Sequence, residues 1–114
     1  MKTNPFAVFF NEQKPLARSL AQEVVAFLQG NGLETKILTS LETLADQKIN
    51  LLICLGGDGT MLRCARAAAP LGLPVFGINC GTLGFLASCE REDFKKHLQL
   101  VLQYIFHLYM HRLK

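Results

Sequence analysis

The run at residues 49–55 is almost continuously apolar and leads directly into the segment 56–60, which reads Gly-Gly-Asp-Gly-Thr. A strand with no alternation of apolar and polar residues is typical of a parallel sheet that helices cover on both faces. Residues 59–69 are mostly good helix formers, and Pro70 marks the end of that segment. The succession of strand, glycine turn and helix therefore predicts one βα unit of an α/β domain.

Further segments repeat this alternation of strands and helices. Short runs rich in branched and aromatic residues predict strands, and apolar residues at spacings of three and four predict helices. We expect strands at 5–10, 34–38 and 75–78, helices at 14–29 and from Arg91 onward, and a short helix or turn at 41–47. The predicted fold class is α/β, with a mostly parallel sheet and flanking helices. Ligands of such sheets bind beyond the carboxyl ends of the strands.

Charge and hydropathy exclude two classes of partner. The net charge of +3 is a mild excess, and Lys and Arg do not cluster with interleaved aromatic residues, so we expect no nucleic-acid binding. No apolar stretch reaches the roughly 20 residues of a membrane-spanning helix. The apolar run at 6–10 is also shorter than a signal-peptide core of roughly 7–15 residues. We therefore expect a cytoplasmic protein without membrane contact, and 114 residues are enough for one small domain.

The four cysteines, Cys54, Cys64, Cys80 and Cys89, form no C-x-x-C pair, and the three histidines all lie further along the chain. This spacing is too wide for a zinc site. Because free thiols are the rule in the cytosol, we expect all four cysteines to be reduced.

The segment 56–60 has the composition of a phosphate-binding turn. Its three glycines allow close approach of a ligand, and the following helix offers unpaired N–H groups and the positive end of its dipole. It lacks the lysine of a Walker P-loop and the spacing of a dinucleotide fingerprint, so Arg63 or Arg66 could replace that lysine. A carboxylate is unfavourable beside phosphates unless it has a chemical role. Asp58 could accept a proton from an attacking hydroxyl, help to hold a divalent cation, or only cap the helix.

A second glycine-containing segment, 79–85, follows the next predicted strand. Asn79 can donate and accept hydrogen bonds at the strand end, and Gly81 and Gly84 keep the backbone open. Phe85 could stack on a nucleotide base or pack in the core. Because both glycine segments follow strands of one sheet, we expect them to form a shared site.

The sequences Leu-Gly-Gly-Asp-Gly-Thr at 55–60 and Gly-Ile-Asn-Cys-Gly-Thr-Leu-Gly-Phe-Leu at 77–86 strongly resemble the motifs of the NAD kinase family. The first motif is shared with diacylglycerol and sphingosine kinases and, in a related form, with phosphofructokinases. The second motif at this spacing separates NAD kinases from those relatives. The resemblance extends from about residue 5 to residue 102. It implies a Rossmann-like N-terminal domain of the NAD kinase and diacylglycerol kinase type.

The resemblance also implies an activity and residue roles. Family members transfer the γ-phosphoryl group of ATP, or in some members of polyphosphate, to the adenosine 2′-hydroxyl of NAD, which gives NADP. Asp58 would be the catalytic proton acceptor, and Mg²⁺ is the expected divalent cation that screens the phosphate oxygens. No residue is assigned as a metal ligand. The implied nucleotide-binding residues are Gly56, Gly57, Asp58, Gly59, Thr60, Arg63 (towards NAD), Asn79 and Phe85.

The C-terminal segment follows the family poorly. Family members are far longer, and their second, mainly β domain carries an Asn-Glu or Asn-Asp motif that binds NAD, whereas here the Asn-Glu pair lies at 11–12. We expect residues 1–102 to form the nucleotide-binding kinase domain, 103–114 to be a divergent tail, and the second β domain to be absent. We therefore expect little or no kinase activity from this chain alone.

Two other functions remain open. A non-catalytic nucleotide-binding fragment or pseudoenzyme would bind ATP or NAD without turnover, and a lipid or sugar kinase would share the first motif. In each case the expected partners are small molecules, nucleotides above all, and family members commonly form homo-oligomers.

Overall fold

The computed structural model of the chain describes residues 4–80 and 86–112, without the side chains of residues 109, 111 and 112. Its centre is a five-stranded sheet with the order β2-β1-β3-β4-β5, in which every neighbouring pair is parallel. The strands are β1 (Phe6–Phe10), β2 (Thr35–Leu38), β3 (Leu51–Gly56), β4 (Val75–Asn79) and β5 (Cys89–Glu90). The predicted α/β fold class with a mostly parallel sheet is confirmed.

Within the described residues three helices cover the sheet: α1 (Pro15–Gly30), α2 (Asp58–Ala68) and α3 (Phe94–Arg112). Single 3₁₀ turns lie at Leu44–Asp46, Ala69–Leu71 and Arg91–Asp93. The turn at Leu44–Asp46 settles the ambiguous segment 41–47 as mostly irregular chain with one short helical turn. Strand β5 was not predicted, because two residues carry no periodic signal.

The helices divide between the two faces of the sheet. Helices α1 and α3 enclose one apolar cluster, whose large buried members include Leu20, Val24, Leu28, Ile53, Leu55 and Leu98. Helix α2 covers the opposite face with a second cluster that includes Phe9, Leu52, Cys54, Met61 and Cys64. Because β3 is buried along its whole length, neither face of this strand presents polar side chains to water. This is the arrangement that its uninterrupted apolar run predicts.

The strand order places a topological switch point between β1 and β3. The chain leaves β1 through α1 to reach β2 on one side, and it leaves β3 through α2 to reach β4 on the other. Parallel crossovers are right-handed, so helices that lead in opposite directions lie on opposite faces of the sheet. A crevice therefore opens beyond the carboxyl ends of β1 and β3, where ligands of open α/β sheets bind.

One pair of cysteines differs from the sequence-based expectation. Cys54 on β3 and Cys64 on α2 form a disulfide, with their Cα atoms 6.8 Å apart. The expectation of four reduced cysteines is therefore wrong for this pair, because packing of α2 on the sheet brings together two residues that are ten positions apart. Cys80 and Cys89 are free thiols.

Helix α3 runs through the expected boundary at residue 102 without a break. Its first half packs on the sheet through Phe94, whose ring meets the ring of Phe27 edge-on at 6.0 Å, and through Leu98. Its second half carries exposed apolar side chains, among them Tyr104, Phe106 and Leu108. No helix within the described residues is both long and apolar enough to cross a membrane.

Candidate functional site

The segment 56–60, called the Gly56 turn from here on, ends β3 and opens α2. Gly56 is buried, and a Cβ atom built on it would lie 2.7 Å from Thr60 Oγ1 and 2.8 Å from Thr60 Cβ. Only glycine fits that contact, so Gly56 allows the first turn of α2 to fold back against the end of the strand. Gly57 is the N-cap residue of α2, and no side chain caps the helix. The N–H groups of the first turn of α2 and the positive end of its dipole therefore point towards the crevice.

Asp58 is the first residue of α2 and lies in its first turn. The interpretation of Asp58 as a mere N-cap is wrong, because the N-cap position belongs to Gly57 and no side-chain capping bond is formed. Its Oδ1 atom instead accepts a hydrogen bond of 3.0 Å from the backbone N–H of Leu86. The carboxylate thereby joins the Gly56 turn to Leu86, the residue that follows the segment 79–85 in the sequence.

The remaining predicted residues of α2 differ in their surroundings. Thr60 is only 6% exposed and lies beneath the turn, whereas Gly59 is exposed. The Arg63 guanidinium lies 5.5 Å from the centroid of the Phe9 ring, at the end of β1. Arg66 lies in the last turn of α2, about 12 Å further along the helix axis than Asp58. Of the two arginines considered for the phosphate-bound cation, Arg66 is therefore too remote.

Asn79 lies beside Gly56 at the end of β4. The two residues are register partners in the sheet, and the backbone N–H of Cys80 donates to the carbonyl oxygen of Gly56 at 3.2 Å. The Asn79 side chain is 3% exposed, and its Nδ2 atom donates to Glu90 Oε2 at 2.9 Å. The first two residues of the segment 79–85 therefore lie beside Gly56 at one edge of the sheet. The shared site of the two glycine segments stays a prediction.

A cavity of about 220 Å³ lies beside Asn79, on the side of β5. It is lined by Leu16, Asn79, Cys80, Glu90, Arg91 and Glu92. Sequence reasoning missed Glu90, because it follows a loop and its strand is two residues long. The hydrogen bond from Asn79 makes Glu90 part of the polar edge of the site.

A second residue that sequence reasoning missed is Lys14, which directly precedes α1. Its Nζ atom lies 4.0 Å from the position that a Cβ on Gly57 would occupy. The two residues are far apart in sequence, and they meet because β1 and β3 are neighbours in the sheet. The sequence signal that could have identified Lys14 as a site residue was its position at the start of the predicted helix 14–29, shortly after a predicted strand.

One prediction for the site lies beyond what the structure describes. Phe85, with Gly81 and Gly84, falls outside the described residues, so the choice between base stacking and core packing stays a prediction. Within the described residues, no group of three His, Cys, Asp or Glu side chains could hold a metal ion.

Comparisons with known proteins point to one family. Residues 10–105 match the family model of the ATP-NAD kinase N-terminal domain. The chain is 36% identical over 109 residues to the NAD kinase of Symbiobacterium thermophilum, and this match covers 85% of the chain and 38% of that protein. It is 37% identical over 90 residues to the NAD kinase of Treponema denticola, and this match covers 75% of the chain and 32% of that protein. The chain thus spans between about a third and two fifths of the length of these curated relatives.

A solved structure has the same fold. The crystal structure of yeast NADH kinase complexed with NADH superimposes with a TM-score of 0.61 over 90% of the chain and 37% of the yeast protein, at 18% identity. At this identity the likeness concerns the fold alone.

Proposed function

The chain belongs to the NAD kinase family, and from that premise we propose that it supplies the phosphate-binding turn and the general base of an NAD kinase. The reaction is the transfer of the γ-phosphoryl group of ATP to the adenosine 2′-hydroxyl of NAD, which gives NADP. The observation that carries the proposal is the position of Asp58, a carboxylate at the N-terminus of α2, anchored by the N–H of Leu86.

The first part of the mechanism is phosphate binding. The phosphates of ATP lie on the Gly56 turn, where the N–H groups of α2 donate to their oxygens and the helix dipole favours their negative charge. Because Gly57 and Gly59 have no side chains, the phosphates can approach the protein backbone closely. In phosphoryl transfer such positioning and charge neutralisation supply most of the catalysis.

The second part is proton transfer by Asp58. As the 2′-oxygen of NAD forms its bond to the γ-phosphorus, the bond from that phosphorus to the bridging oxygen of ADP breaks, and the hydroxyl proton passes to the Asp58 carboxylate. ADP leaves, and Asp58 releases the proton to solvent before the next cycle begins. General-base assistance of this kind is typically worth about 10²–10⁴ in rate. The hydrogen bond from Leu86 holds the carboxylate in one orientation throughout.

The divalent cation belongs to the nucleotide in this proposal. Mg²⁺ usually keeps several waters and binds through substrate phosphates and one or two carboxylates. The Asp58 carboxylate at the start of α2 fits such a site, in which the substrate phosphates would supply most of the ligands. When bound, the cation neutralises charge on the phosphate oxygens.

The proposal is tested with a chimera in which this chain replaces the aligned segment of the Symbiobacterium thermophilum relative. We expect the purified chimera to form NADP from NAD, ATP and magnesium, and Asp58→Asn to lower kcat by about 10²–10⁴. The matched control is Asp46→Asn, which removes a carboxylate from an exposed turn and should leave kcat unchanged. A folded chimera without NADP formation, or an Asp58→Asn chimera of full activity, would refute the proposed function.

Further features of the protein stay predictions. Tripolyphosphate in place of ATP tests the choice of donor, and NADH in place of NAD tests the choice of acceptor. A cytoplasmic location and homo-oligomer formation are likewise expected for the protein. The assignment of 103–114 as a divergent tail also remains a proposal.

A further inference from the structure

The turn that follows β1 is attached to the end of β3. The backbone N–H of Asn11 donates to the carbonyl oxygen of Leu55 at 3.3 Å, and the backbone N–H of Lys14 donates to the carbonyl oxygen of Asn11 at 3.0 Å. Lys14 is thereby held at the switch point between β1 and β3. Pro15, the first residue of α1, fixes the direction in which the helix leaves this point.

The Lys14 ammonium lies directly beside the Gly56 turn. Its Nζ atom is 4.0 Å from the position of a Cβ on Gly57, and the side chain is partly buried. It forms no hydrogen bond or ion pair with any residue in the described parts of the chain. A cation held beside a glycine turn in this way remains available to an anion that binds to the turn.

The other candidate cation is already engaged. The Arg63 guanidinium stacks over the Phe9 ring on the face of the sheet covered by α2, whereas α1 begins on the opposite face. Lys14 and the N-terminus of α2 therefore approach the crevice from opposite sides. A positive charge beside the turn also reduces the repulsion that a bound phosphate would experience from the Asp58 carboxylate.

The electrostatic field of Lys14 also reaches Cys80, which directly follows β4. Burial raises the pKa of the Cys80 thiol, and the positive charge of Lys14 acts in the opposite direction, lowering that pKa. Because Cys80 directly follows Asn79, the ammonium lies close to the ends of both β3 and β4. It is thus placed to contact a ligand that spans the ends of these two strands.

We propose that Lys14 is the phosphate-binding cation of this site, taking the place of the lysine that the Gly56 turn lacks, and that its ligand is the phosphate chain of a nucleoside triphosphate or inorganic polyphosphate. This inference rests on the proposed function. Lysine binds phosphates as a flexible point charge, so it can follow the γ-phosphoryl group from donor to acceptor.

The test is calorimetric titration of the purified chain with tripolyphosphate, and then with ATP, at several salt concentrations. The variants are Lys14→Met, Lys14→Arg and, as a matched control, Lys36→Met, which removes an exposed lysine of β2. Loss of a charge-assisted contact predicts that Lys14→Met weakens tripolyphosphate binding by about tenfold or more. We expect Lys14→Arg to restore affinity to within about threefold, and the salt dependence of binding to become shallower in Lys14→Met.

Each outcome decides between the two proposals. If the wild-type chain binds both ligands and Lys14→Met binds them with the same affinity, the role of Lys14 is overturned and the proposed function stays intact. Failure of the wild-type chain to bind either ligand would overturn the phosphate-binding turn itself. A Lys14→Met defect confined to ATP, with unchanged tripolyphosphate binding, would contradict a contact to the phosphates. Circular dichroism of each variant ensures that an affinity loss is not a loss of fold.

Discussion

The Asp58 carboxylate accepts a hydrogen bond of 3.0 Å from the backbone N–H of Leu86, although the two residues are 28 positions apart in sequence. The contact joins the first residue of α2 to the residue after the second glycine loop. The proposed base of the reaction is therefore also a tether between the start of α2 and Leu86, which lies between β4 and β5.

Two substitutions distinguish the charge of Asp58 from its role as hydrogen-bond acceptor for Leu86. Asp58→Asn keeps an Oδ1 acceptor for Leu86 and loses the charge beside the helix dipole, so it should cost about 0.3–1 kcal/mol in the free energy of unfolding. Asp58→Ala removes the acceptor as well and should cost about 1–3 kcal/mol. Urea denaturation measures both values, and hydrogen exchange reports the Leu86 amide. Equal loss of protection at Leu86 in both variants would contradict the tether.

The contact between Gly56 and Thr60 predicts a sharp difference between neighbouring glycines. Gly56→Ala forces a Cβ to within 2.7 Å of Thr60 Oγ1, and the resulting shift should destabilise the fold by about 1–3 kcal/mol. Gly59→Ala is the matched control, because a Cβ there meets no atom within 4 Å and alanine is the better helix former. We expect Gly59→Ala to be neutral or stabilising in the same urea titration. Equal destabilisation by both variants would show that the Thr60 contact is not the cause.

The Arg63 guanidinium over the Phe9 ring predicts an energetic coupling. A double-mutant cycle of Phe9→Leu and Arg63→Met should give a coupling free energy of about 0.5–1 kcal/mol, the usual size for a cation–π pair whose cation stays in contact with water. The cycle subtracts the cavity that Phe9→Leu creates by itself. Arg66→Met in place of Arg63→Met should couple to Phe9→Leu by much less, and equal coupling of the two arginines would exclude the stacking contact.

The Cys89 thiol predicts a pH dependence. Burial, followed by the nearby carboxylates of Asp93 and Glu90, raises its pKa from 9.0 to about 11. Because the folded pKa is the higher one, the contribution of this thiol to stability is fully present below pH 9 and is lost as the pH rises through about 11. Iodoacetamide should therefore modify Cys89 at pH 9 more slowly in the folded chain than in urea, as read by peptide mass spectrometry.

Two variants check the cause of that shift. Asp93→Asn removes one of the carboxylates and should accelerate modification of Cys89 in the folded chain, whereas Asp46→Asn should not. Modification at the same rate in folded and unfolded chains would show that the thiol pKa is not raised.

The parts of the molecule that sequence reasoning predicted are those with a local signal. The uninterrupted apolar run before Gly56 indicates a buried parallel strand, and the strand–turn–helix order places Asp58 at the start of α2. The start of α2 differs from the prediction by one residue, because Gly57 and not Asp58 takes the N-cap position.

The parts that it missed depend on contacts between distant segments. Lys14 approaches Gly57 only after β1 and β3 have paired, and Glu90 meets Asn79 only because β5 is added at the edge of the sheet. The Cys54–Cys64 pair likewise depends on how α2 rotates against β3. None of these contacts has a periodicity or spacing that a single sequence could display.

The all-parallel sheet has a consequence for how the chain folds. No hairpin can nucleate it, because Phe6 of β1 pairs with Leu51 of β3 only after the intervening helix and edge strand have been looped out. The entropy of closing that loop is lost before the central pair is gained, which slows folding more than it lowers stability. The crevice between β1 and β3 therefore forms only when this non-local pair forms, and the same pairing brings Lys14 and Gly57 together.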